Sequence, residues 1–301
     1  QIIEDTFYDT PSRVKTKRNK YLATSEDGYT TPNMSVARTN FSYDPLDRTV
    51  QILNPDDTLK RFDYAPWNNT AFDEKNNKKI TVKDAYDQTI FVIEFNPDAS
   101  TTDYAYNDAG EIVSITDSAG NVFRFAYDTL GRKTSQIDPD LGTWNYTYDG
   151  VGNLLTSRDN RGITTMFTYD ELNRVIRKKT TGNEEFVYSY DTDVKGTLSG
   201  ISSTRFTRNY TYDHRLRQST DKKIIDARTY QQIFSYDSLD RTTNITLPNN
   251  EAINYFYSPQ GEHKNIQGIT TDTTHNAYGN TQQRTYDNTE VTTHTYNLKT
   301  N

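Results

Sequence analysis

A short motif recurs at a fixed interval in the middle of this chain. The pairs Tyr127-Asp128, Tyr148-Asp149 and Tyr169-Asp170 follow one another at steps of 21 residues (148 − 127 = 21 and 169 − 148 = 21). A constant period of this length is typical of stacked repeat proteins, in which each unit buries its apolar surface against its neighbours. The period therefore predicts one continuous array rather than several globular domains.

Each repeat contains the pattern of two short strands and two turns. Aromatic residues alternate with polar or small ones in Phe123-Arg124-Phe125-Ala126-Tyr127, which predicts a strand with one aromatic face. Four positions after each Tyr stands Gly131, Gly152 or Asn173, which are residues that tolerate a positive φ in a turn. A second strand and a second turn, such as 138–142, complete the unit. We predict an all-β array of antiparallel hairpins that forms one long curved or spiralling sheet, with aromatic rings stacked as a ladder on one face.

The same period extends in both directions along the chain. We interpret 1–38 as an irregular lead-in or degenerate repeat, 39–260 as the repeat array and 261–301 as degenerate terminal repeats. The positions that define the array are Tyr43, Asp44, Tyr106, Tyr127, Asp128, Gly131, Arg132, Tyr148, Asp149, Gly152, Tyr169, Asp170, Asn173, Arg174, Tyr190, Asp191, Tyr212, Asp213, Tyr236, Asp237, Arg241 and Tyr257.

Some steps of the array depart from the rule. Tyr212 follows Tyr190 after 22 residues and Tyr236 follows after 24, which predicts bulges or longer loops in 192–204 and 219–229. Val194 and Leu216 occupy the turn position where Gly or Asn is expected, and both lie where the spacing slips. Tyr278 returns to the 21-residue step but has no Asp after it, which indicates that the array frays there.

Composition limits the classes of function. Hydrophobic residues make up 33% of the chain and its mean hydropathy is −0.92, but 23 Tyr, 13 Phe and 2 Trp supply apolar surface for folding. The net charge of −7, with acidic and basic residues interleaved, argues against nucleic acid as the main partner. There is no cysteine and no apolar run of membrane length, and the first residues, QIIEDTFYDT, do not have the pattern expected of a signal peptide.

The chain starts and stops within repeat-like sequence, so we expect it to be a fragment of something longer. A fragment of a sheet exposes two edges, and we expect it to self-associate unless loops or charges cover them. Lys178-Lys179 and Lys222-Lys223 are the predicted guards of those edges.

Consecutive units read YDTLGRK, DPDLGTWNYTYDGVGNL and FTYDELNRV, and they resemble the YD-repeat (Rhs-repeat) proteins. The resemblance is to the repeat region of toxin-complex B and C components and polymorphic Rhs toxins, and more distantly to teneurins. It covers approximately residues 39–260. It implies a structural encapsulation module, part of the wall of a secreted or cell-surface shell. The implied partners are the remainder of a larger YD-repeat polypeptide and its enclosed toxin.

The resemblance also bears on catalysis. In that family an aspartic autoprotease segment with Asp-Pro-x-Gly motifs cuts the toxin free. No such segment is found in this sequence, because Asp138-Pro139-Asp140 belongs to an ordinary repeat turn. The resemblance therefore implies a non-enzymatic wall segment.

The residues offer less support for other functions. The Asp after each Tyr is interpreted as a turn cap rather than as one of a row of metal-binding or catalytic acids. The four histidines, His214, His263, His275 and His294, share no metal-ligand spacing, and no nucleophile motif is present. We predict no catalytic, metal or cofactor site. The alternative is an extracellular adhesion module that binds cell-surface glycans or another repeat protein through exposed aromatic rings, although we favour rings packed on the sheet.

Overall fold

The computed structural model describes residues 2–22 and 31–296, and this part of the chain consists of β-strands and turns without a helix. The first thirteen strands are β1 (Ile2–Ile3), β2 (Thr6–Tyr8), β3 (Val14–Arg18), β4 (Tyr21–Leu22), β5 (Arg38–Tyr43), β6 (Thr49–Leu53), β7 (Leu59–Tyr64), β8 (Asn68–Phe72), β9 (Lys78–Lys83), β10 (Thr89–Phe95), β11 (Ala99–Tyr106), β12 (Ile112–Thr116) and β13 (Val122–Tyr127). The remaining strands are β14 (Lys133–Asp138), β15 (Gly142–Tyr148), β16 (Leu154–Arg158), β17 (Thr164–Tyr169), β18 (Val175–Thr180), β19 (Glu185–Tyr190), β20 (Leu198–Ser202), β21 (Phe206–Tyr212), β22 (Gln218–Ile225), β23 (Arg228–Tyr236), β24 (Thr242–Thr246), β25 (Ala252–Tyr257), β26 (His263–Ile266), β27 (Thr270–His275), β28 (Thr281–Tyr286) and β29 (Val291–Thr293).

The chain divides into two compact units. The first comprises Gln1–Arg124, Thr274–Gln283 and Thr292–Asn301, and the second comprises Phe125–Thr273 and Arg284–Val291. In the first unit β1 pairs with β4, β2 with β3 and β3 with β5, and from β5 to β13 each strand pairs with the next. In the second unit each strand from β14 to β27 pairs with the next. Every one of these pairings is antiparallel, which confirms the predicted all-β array of hairpins.

Because consecutive strands pair antiparallel, the turns that follow every second strand lie at the same end of the strands. It also corrects the predicted role of Lys178-Lys179 and Lys222-Lys223. These lysines lie in β18 and β22, and both strands pair on both sides, so they do not guard an open edge.

The predicted three-segment division stays a prediction, and it includes residues outside the described ranges. Within 1–38, Asp9 accepts a hydrogen bond from the backbone N–H of Arg13 at 2.9 Å, which is the turn bond that the regular repeats make. Within 261–301, Tyr278 lies in a turn instead of at a strand end. His275-Asn276 occupies the strand end, and Asn276 Oδ1 accepts the N–H of Tyr278 at 2.9 Å. The assignment of Tyr278 to the Tyr-Asp position is therefore wrong.

A β-bulge directly follows the turn of the regular repeats. Thr147 pairs with Thr156 but Tyr148 pairs with Leu154, so Leu155 is an extra residue in β16. The register shifts in the same way at Tyr43, Tyr106, Tyr169, Tyr190, Tyr212, Tyr236 and Tyr257. A turn that ends in a positive-φ residue commonly inserts one such residue. The bulge thus occurs in the 21-residue repeats as well as in the two longer ones, so it does not explain their extra length.

The two lengthened steps have different causes. Asp191 N–H binds the carbonyl of Thr197, whereas Asp170 N–H binds that of Arg174, so a longer turn exists within 192–204 as predicted. In 219–229 the predicted bulge is present, because Ser219 is the extra residue opposite Thr211 and Tyr212, but the predicted longer loop is not. There β22 and β23 pair without a register shift up to Ile225 and Arg228, and a two-residue turn, Asp226-Ala227, with φ of 48° and 60°, joins them. That step is longer because both strands are longer.

The sheets in the described part of the chain lack a buried apolar core. Among the described residues no hydrophobic side chain is buried. The rings of Phe125, Tyr146 and Phe167 are half-buried, while their strand neighbours Asn145 and Thr168 are exposed. Each sheet therefore has one partly covered aromatic face and one open, mostly polar face.

Candidate functional site

The tyrosine of the Tyr-Asp pair binds the repeat before it. Tyr148 Oη donates a hydrogen bond to the carbonyl of Lys133, and Tyr169 Oη donates to that of Leu154, both at 2.8 Å. The same kind of bond, at 2.7–3.0 Å, is made by Tyr43, Tyr64, Tyr106, Tyr190, Tyr212, Tyr236, Tyr257 and Tyr296. The accepting carbonyl lies at or near the start of the neighbouring strand. These hydroxyl groups therefore join successive repeats of a unit side by side.

The aspartate of the pair caps its own turn. Asp128 Oδ1 accepts the backbone N–H groups of Leu130 and Arg132 at 2.9 and 3.0 Å, and its Oδ2 accepts Arg132 Nε at 2.7 Å. The same three bonds are made by Asp44, Asp170, Asp213 and Asp237, and Asp149 makes them with Asn153 in place of an arginine. Each carboxylate is used locally, so these acids do not converge on one site.

Asp191 is the variant of this cap. It accepts the N–H of Gly196 at 2.6 Å and binds the guanidinium of Arg174, which comes from the preceding repeat, at 2.7 Å. The carboxylate of Asp191 therefore still caps its turn, although this turn is longer.

The arginine after each turn connects two repeats. The guanidinium of Arg132 lies 5.0 Å from the ring centre of Tyr148, and its Nη1 donates to the carbonyl of Asp149 at 2.8 Å. Equivalent contacts, at 4.4–4.8 Å, join Arg13 to Tyr43, Arg48 to Tyr64, Arg174 to Tyr190, Arg217 to Tyr236 and Arg241 to Tyr257. The repeats of each unit are thus joined by a Tyr-Asp-Arg cluster. We define this cluster as the Asp that caps a turn, the Arg of the same turn and the Tyr of the following repeat.

This cluster corrects the predicted ladder of stacked rings. Phe186 and Phe206 do pack ring against ring at 6.2 Å, but many other rings lie against an Arg or Lys cation. Lys133 Nζ, for example, lies 5.6 Å from the Phe125 ring and 5.4 Å from the Tyr146 ring. A cation over an aromatic face is favourable because of the ring quadrupole. Neighbouring strands bring rings beside Arg and Lys, so ring–cation contacts replace much of the expected ring–ring stacking.

The predicted set omitted Tyr64, Arg48 and Arg217, which take full part in the cluster. The sequence signal was present, since an arginine stands five residues after the Tyr in YDPLDR, YDTLGR, YDELNR and YDSLDR. What the sequence did not indicate is that this arginine lies over the next tyrosine.

The turn residue before the arginine adopts the left-handed conformation. Gly131, Gly152 and Asn173 have φ of 75°, 103° and 61°. Leu216 has a φ of 63°, so its backbone adopts the same left-handed conformation in spite of its side chain. Leu216 is therefore an exception in residue type but not in backbone conformation. In the longer turn Gly196, with φ of 88°, takes this conformation instead of Val194.

Replacing Leu216 with glycine is expected to raise the free energy of unfolding by about 1 kcal/mol, because left-handed backbone costs an L-residue roughly that much. The Leu216 side chain is 57% exposed and contributes little packing. Urea denaturation would measure the change. Leu239→Gly is the matched control: Leu239 is 68% exposed in the corresponding turn but lacks a positive φ, so glycine should destabilise it. Equal effects of the two substitutions would contradict this explanation.

The caps lower the pKa of their carboxyl groups. The backbone N–H of Arg132 and that of Arg174 are the leading causes for Asp128 and Asp170. Hydrogen bonds from Arg174 and Arg217 hold the pKa of Asp191 and of Asp213 at about 2.

These lowered pKa values predict acid sensitivity. A carboxyl whose folded-state pKa lies below its usual value of about 3.9 stabilises the fold above that value, and the contribution is lost as the pH falls towards the folded-state pKa. We expect the melting temperature to stay level from neutral pH to about pH 5 and to fall between about pH 4 and 2. Circular dichroism melts across this range test it. Asp213→Asn keeps an acceptor oxygen but removes one titrating group, so its fall should be shallower. A melting temperature that is the same at both ends of the range would contradict the expectation.

The described part of the chain contains neither a cluster of metal-binding side chains nor a membrane-spanning helix. No three His, Asp or Glu side chains in 2–22 and 31–296 are placed to hold a metal ion. His263 packs against the rings of Tyr255 and Tyr257 at 5.5 and 4.6 Å. Across the same ranges, no helix is long and apolar enough to cross a membrane.

Comparisons with known proteins agree with this geometry. The RHS repeat family profile matches residues 96–143 and 148–185. The crystal structure of TcdB2-TccC3-Cdc42 superposes with a TM-score of 0.86 at 14% identity, covering 98% of this chain and 18% of that one. The Photorhabdus luminescens Tc holotoxin pore with the TccC3-D651A mutation gives a TM-score of 0.87 at 16% identity, with the same coverage. No curated protein sequence matches the chain.

The chain thus spans about a fifth of the length of these structures, and at this identity the likeness concerns the fold. The profile match falls on the most regular repeats, where Tyr106, Tyr127, Tyr148 and Tyr169 follow one another at 21 residues. Asp follows the last three of these tyrosines, and Asn107 follows the first. Residues 96–143 and 148–185 of this chain are thus RHS repeats, and the fold of the chain is similar to that of the TcdB2-TccC3-Cdc42 and Tc holotoxin structures.

Proposed function

We propose that the chain is a wall segment of a secreted or cell-surface YD-repeat shell that encloses a toxin or other effector polypeptide. The observation that carries the proposal is a sheet held together by contacts between neighbouring repeats, with no buried hydrophobic side chain among the described residues. Such a sheet does not need to fold around a core of its own. Its fold is similar to that of TcdB2-TccC3 complexes.

The physical basis of a wall is the backbone ladder. Paired strands lie about 4.8 Å apart and are joined by hydrogen bonds, which leaves no opening that a protease or a side chain can pass. The bonds of the Tyr-Asp-Arg cluster add side-chain connections between repeats near the turns, where the backbone ladder is interrupted by the bulge. The wall would therefore act by exclusion and would need no catalytic group.

The open face suits an enclosed chain of no fixed structure. It presents side chains such as Asn145, Thr147 and Thr168, which are exposed and alternate with the aromatic positions. Short polar groups of this kind form weak hydrogen bonds with many partners and favour no single folded surface.

Protease protection tests the proposal. The larger polypeptide that contains this chain would be digested in parallel with its C-terminal segment produced alone. We expect the segment inside the polypeptide to be cleaved at least about tenfold more slowly, because cleavage requires opening of the wall. Equal rates of cleavage would refute enclosure. Heating the polypeptide above its melting temperature before digestion is the control, and it should abolish the protection.

Glycan adhesion remains the alternative, without an observation that favours it. The rings of the Tyr-Asp-Arg cluster are half-buried and carry cations. Trp67 and Tyr86 are 57% and 85% exposed, but both lie in turns or at strand ends rather than in a row on a strand face. Saturable binding on a glycan panel that is lost in Trp67→Ala would revive this alternative.

A further inference from the structure

One repeat of the first unit has glutamine at the position where several other capped turns have arginine. Gln88 stands four residues after Asp84, as Arg48 stands four residues after Asp44. The backbone of the two turns is the same: Asp84 N–H binds the carbonyl of Gln88 at 2.9 Å, and Asp44 N–H binds that of Arg48 at 3.0 Å. Asp84 Oδ1 also caps its turn, because it accepts the backbone N–H groups of Tyr86 and Gln88, both at 2.9 Å. The repeat therefore differs in a side chain and not in its fold.

The other groups that surround the arginine of a Tyr-Asp-Arg cluster are present in this repeat. Tyr106 Oη donates to the carbonyl of Thr89 at 2.8 Å, as the tyrosines of the clusters do, and its ring is half-buried. The carbonyl of Asn107 follows Tyr106, at the position from which the carbonyl of Asp149 accepts Arg132 Nη1. We define the Gln88 site as Asp84, Gln88, Tyr106 and the carbonyl of Asn107.

The second carboxylate oxygen of Asp84 distinguishes the Gln88 site from the clusters. Asp44 Oδ2 accepts Arg48 Nε at 2.7 Å. Within 2–22 and 31–296, by contrast, the hydrogen bonds of the Asp84 side chain all go to Oδ1. The amide of Gln88 is directed to the next turn, where a Cβ at Gly110 would lie 3.0 Å from its Nε2. Asp84 Oδ2 is therefore available to a donor from outside the repeat.

The charge of Asp84 acts on the ring of Tyr106. Lys83, the residue before Asp84, pairs with Asp87 at 2.6 Å. Burial raises the pKa of Tyr106, and the charge of Asp84 raises it further. At Tyr190, in a repeat with an arginine, the guanidinium opposes the same effect of burial on the pKa. The Gln88 site thus combines a carboxylate and an aromatic face, which both attract a cation.

A cavity gives access to the Gln88 site. Its volume is about 730 Å³, and the side chains on its wall include Asp84, Tyr86, Tyr104 and Tyr106. The equivalent cavity in the same unit, beside Arg48, measures about 430 Å³. The tyrosine rings offer apolar surface to the aliphatic part of a long cationic side chain, while its charged end reaches Asp84.

We propose that the Gln88 site binds an arginine side chain of another polypeptide. The guanidinium donates to Asp84 Oδ2 and to the carbonyl of Asn107, and it lies over the ring of Tyr106. These are the contacts that Arg132 makes in its own cluster. A planar guanidinium can make both bonds from that position, whereas an ammonium group is a point charge. Free arginine is disfavoured, because its α-carboxylate comes close to Asp108, which lines the same cavity. The site does not depend on the proposed wall function.

A nuclear magnetic resonance titration of the 301-residue chain tests the site. The probe is Nα-acetyl-L-arginine amide, which has no carboxylate, at constant ionic strength. We expect saturable shifts of the backbone N–H signals of Gln88 and Gly110, with a Kd of about 1–10 mM. Nα-acetyl-L-lysine amide should bind at least about fivefold more weakly. Absence of saturable shifts, or equal affinity for the two amides, would overturn the proposal. Free L-arginine that binds as tightly as its amide would overturn the assignment to a polypeptide.

Two carboxylate variants separate the site from general attraction of cations. Asp84→Asn retains an oxygen that can cap the turn, since Asn107 Oδ1 caps the next turn in this way, and it removes the charge. We expect it to weaken binding of the arginine amide at least about tenfold. Asp108→Asn is the matched control, because it removes one charge from the same cavity, and it should change the Kd less than about threefold. Equal losses in the two variants would contradict a defined site.

Two further variants exchange glutamine and arginine between repeats. Gln88→Arg supplies a guanidinium from the chain itself, so it should abolish binding of the arginine amide while the circular dichroism spectrum stays unchanged. Arg132→Gln should create a second site beside Asp128 and Tyr148, seen as a saturable shift of the Leu130 N–H that the wild type lacks. Undiminished binding in Gln88→Arg, or no new site in folded Arg132→Gln, would overturn the proposal.

Discussion

Replacing Tyr148 with alanine is expected to lower the free energy of unfolding by about 2–3 kcal/mol. The substitution removes a half-buried ring, the surface under the guanidinium of Arg132, and the hydroxyl that binds the carbonyl of Lys133 at 2.8 Å. Loss of a fully buried aromatic side chain costs about 3–5 kcal/mol, and the half-buried ring places Tyr148 below that range. Urea denaturation followed by circular dichroism would measure the change.

Tyr148→Phe separates the hydroxyl from the ring. It keeps the ring and its contact with Arg132 and removes only the hydrogen bond, so a loss of about 1 kcal/mol is expected. Tyr169 is a natural comparison, because its hydroxyl makes the same bond but Asn153, and not an arginine, occupies the turn position before it. Tyr169→Ala should therefore cost less than Tyr148→Ala. Equal losses at the two sites would mean that the arginine adds nothing.

The effect should be local as well as large. In repeat proteins stability is approximately a sum of unit and nearest-neighbour contributions, so a damaged cluster weakens the adjoining repeats most. Hydrogen exchange should show faster exchange in β14, β15 and β16 of Tyr148→Ala, with little change in β24 and β25. A uniform increase along the chain would indicate that the second unit unfolds as one cooperative body.

The sequence predicted the strands, their antiparallel order and the Asp turn caps because each depends on residues close together in the chain. Alternation fixes a strand face, and the spacing of Asp128 and Gly131 fixes a turn. The prediction was incomplete where side chains of different repeats meet. The contact of Arg132 with Tyr148 depends on strand register, and a bulge shifts that register by one residue. A period of two alone does not reveal this shift.

Residue type also proved weaker evidence than turn geometry. Leu216 adopts the positive φ that Gly or Asn adopts elsewhere, because the cap at Asp213 and the flanking strands determine the backbone there. Asp226-Ala227 shows the converse case. Nothing in those two residues demands a tight turn, and it is the length of β22 and β23 that brings the strand ends together. In both places tertiary context overrides local preference.

A second large loss is expected at Gly200, in the middle of β20. This glycine pairs with Ser189 on one side and with Asn209 on the other. A Cβ added there would lie 2.8 Å from the carbonyl oxygen of Arg208, 2.9 Å from Asn209 Oδ1 and 3.2 Å from Ser189 Oγ. The closest of these atoms belongs to the backbone of β21, so relief of the contact requires two paired strands to move apart.

Gly200→Ala should accordingly lower the free energy of unfolding by about 2–3 kcal/mol, which is the usual cost of overpacking a fixed site. Gly150→Ala is the matched control, because a Cβ at Gly150 meets nothing within 4 Å and the residue has no positive φ. That change should be neutral or stabilise by up to about 1 kcal/mol, since alanine restricts the unfolded chain. Urea denaturation of both variants gives the comparison. If Gly200→Ala proved as stable as Gly150→Ala, β20 and β21 would have to separate at little cost, and the strand register of the second unit would be less rigid than its pairing indicates.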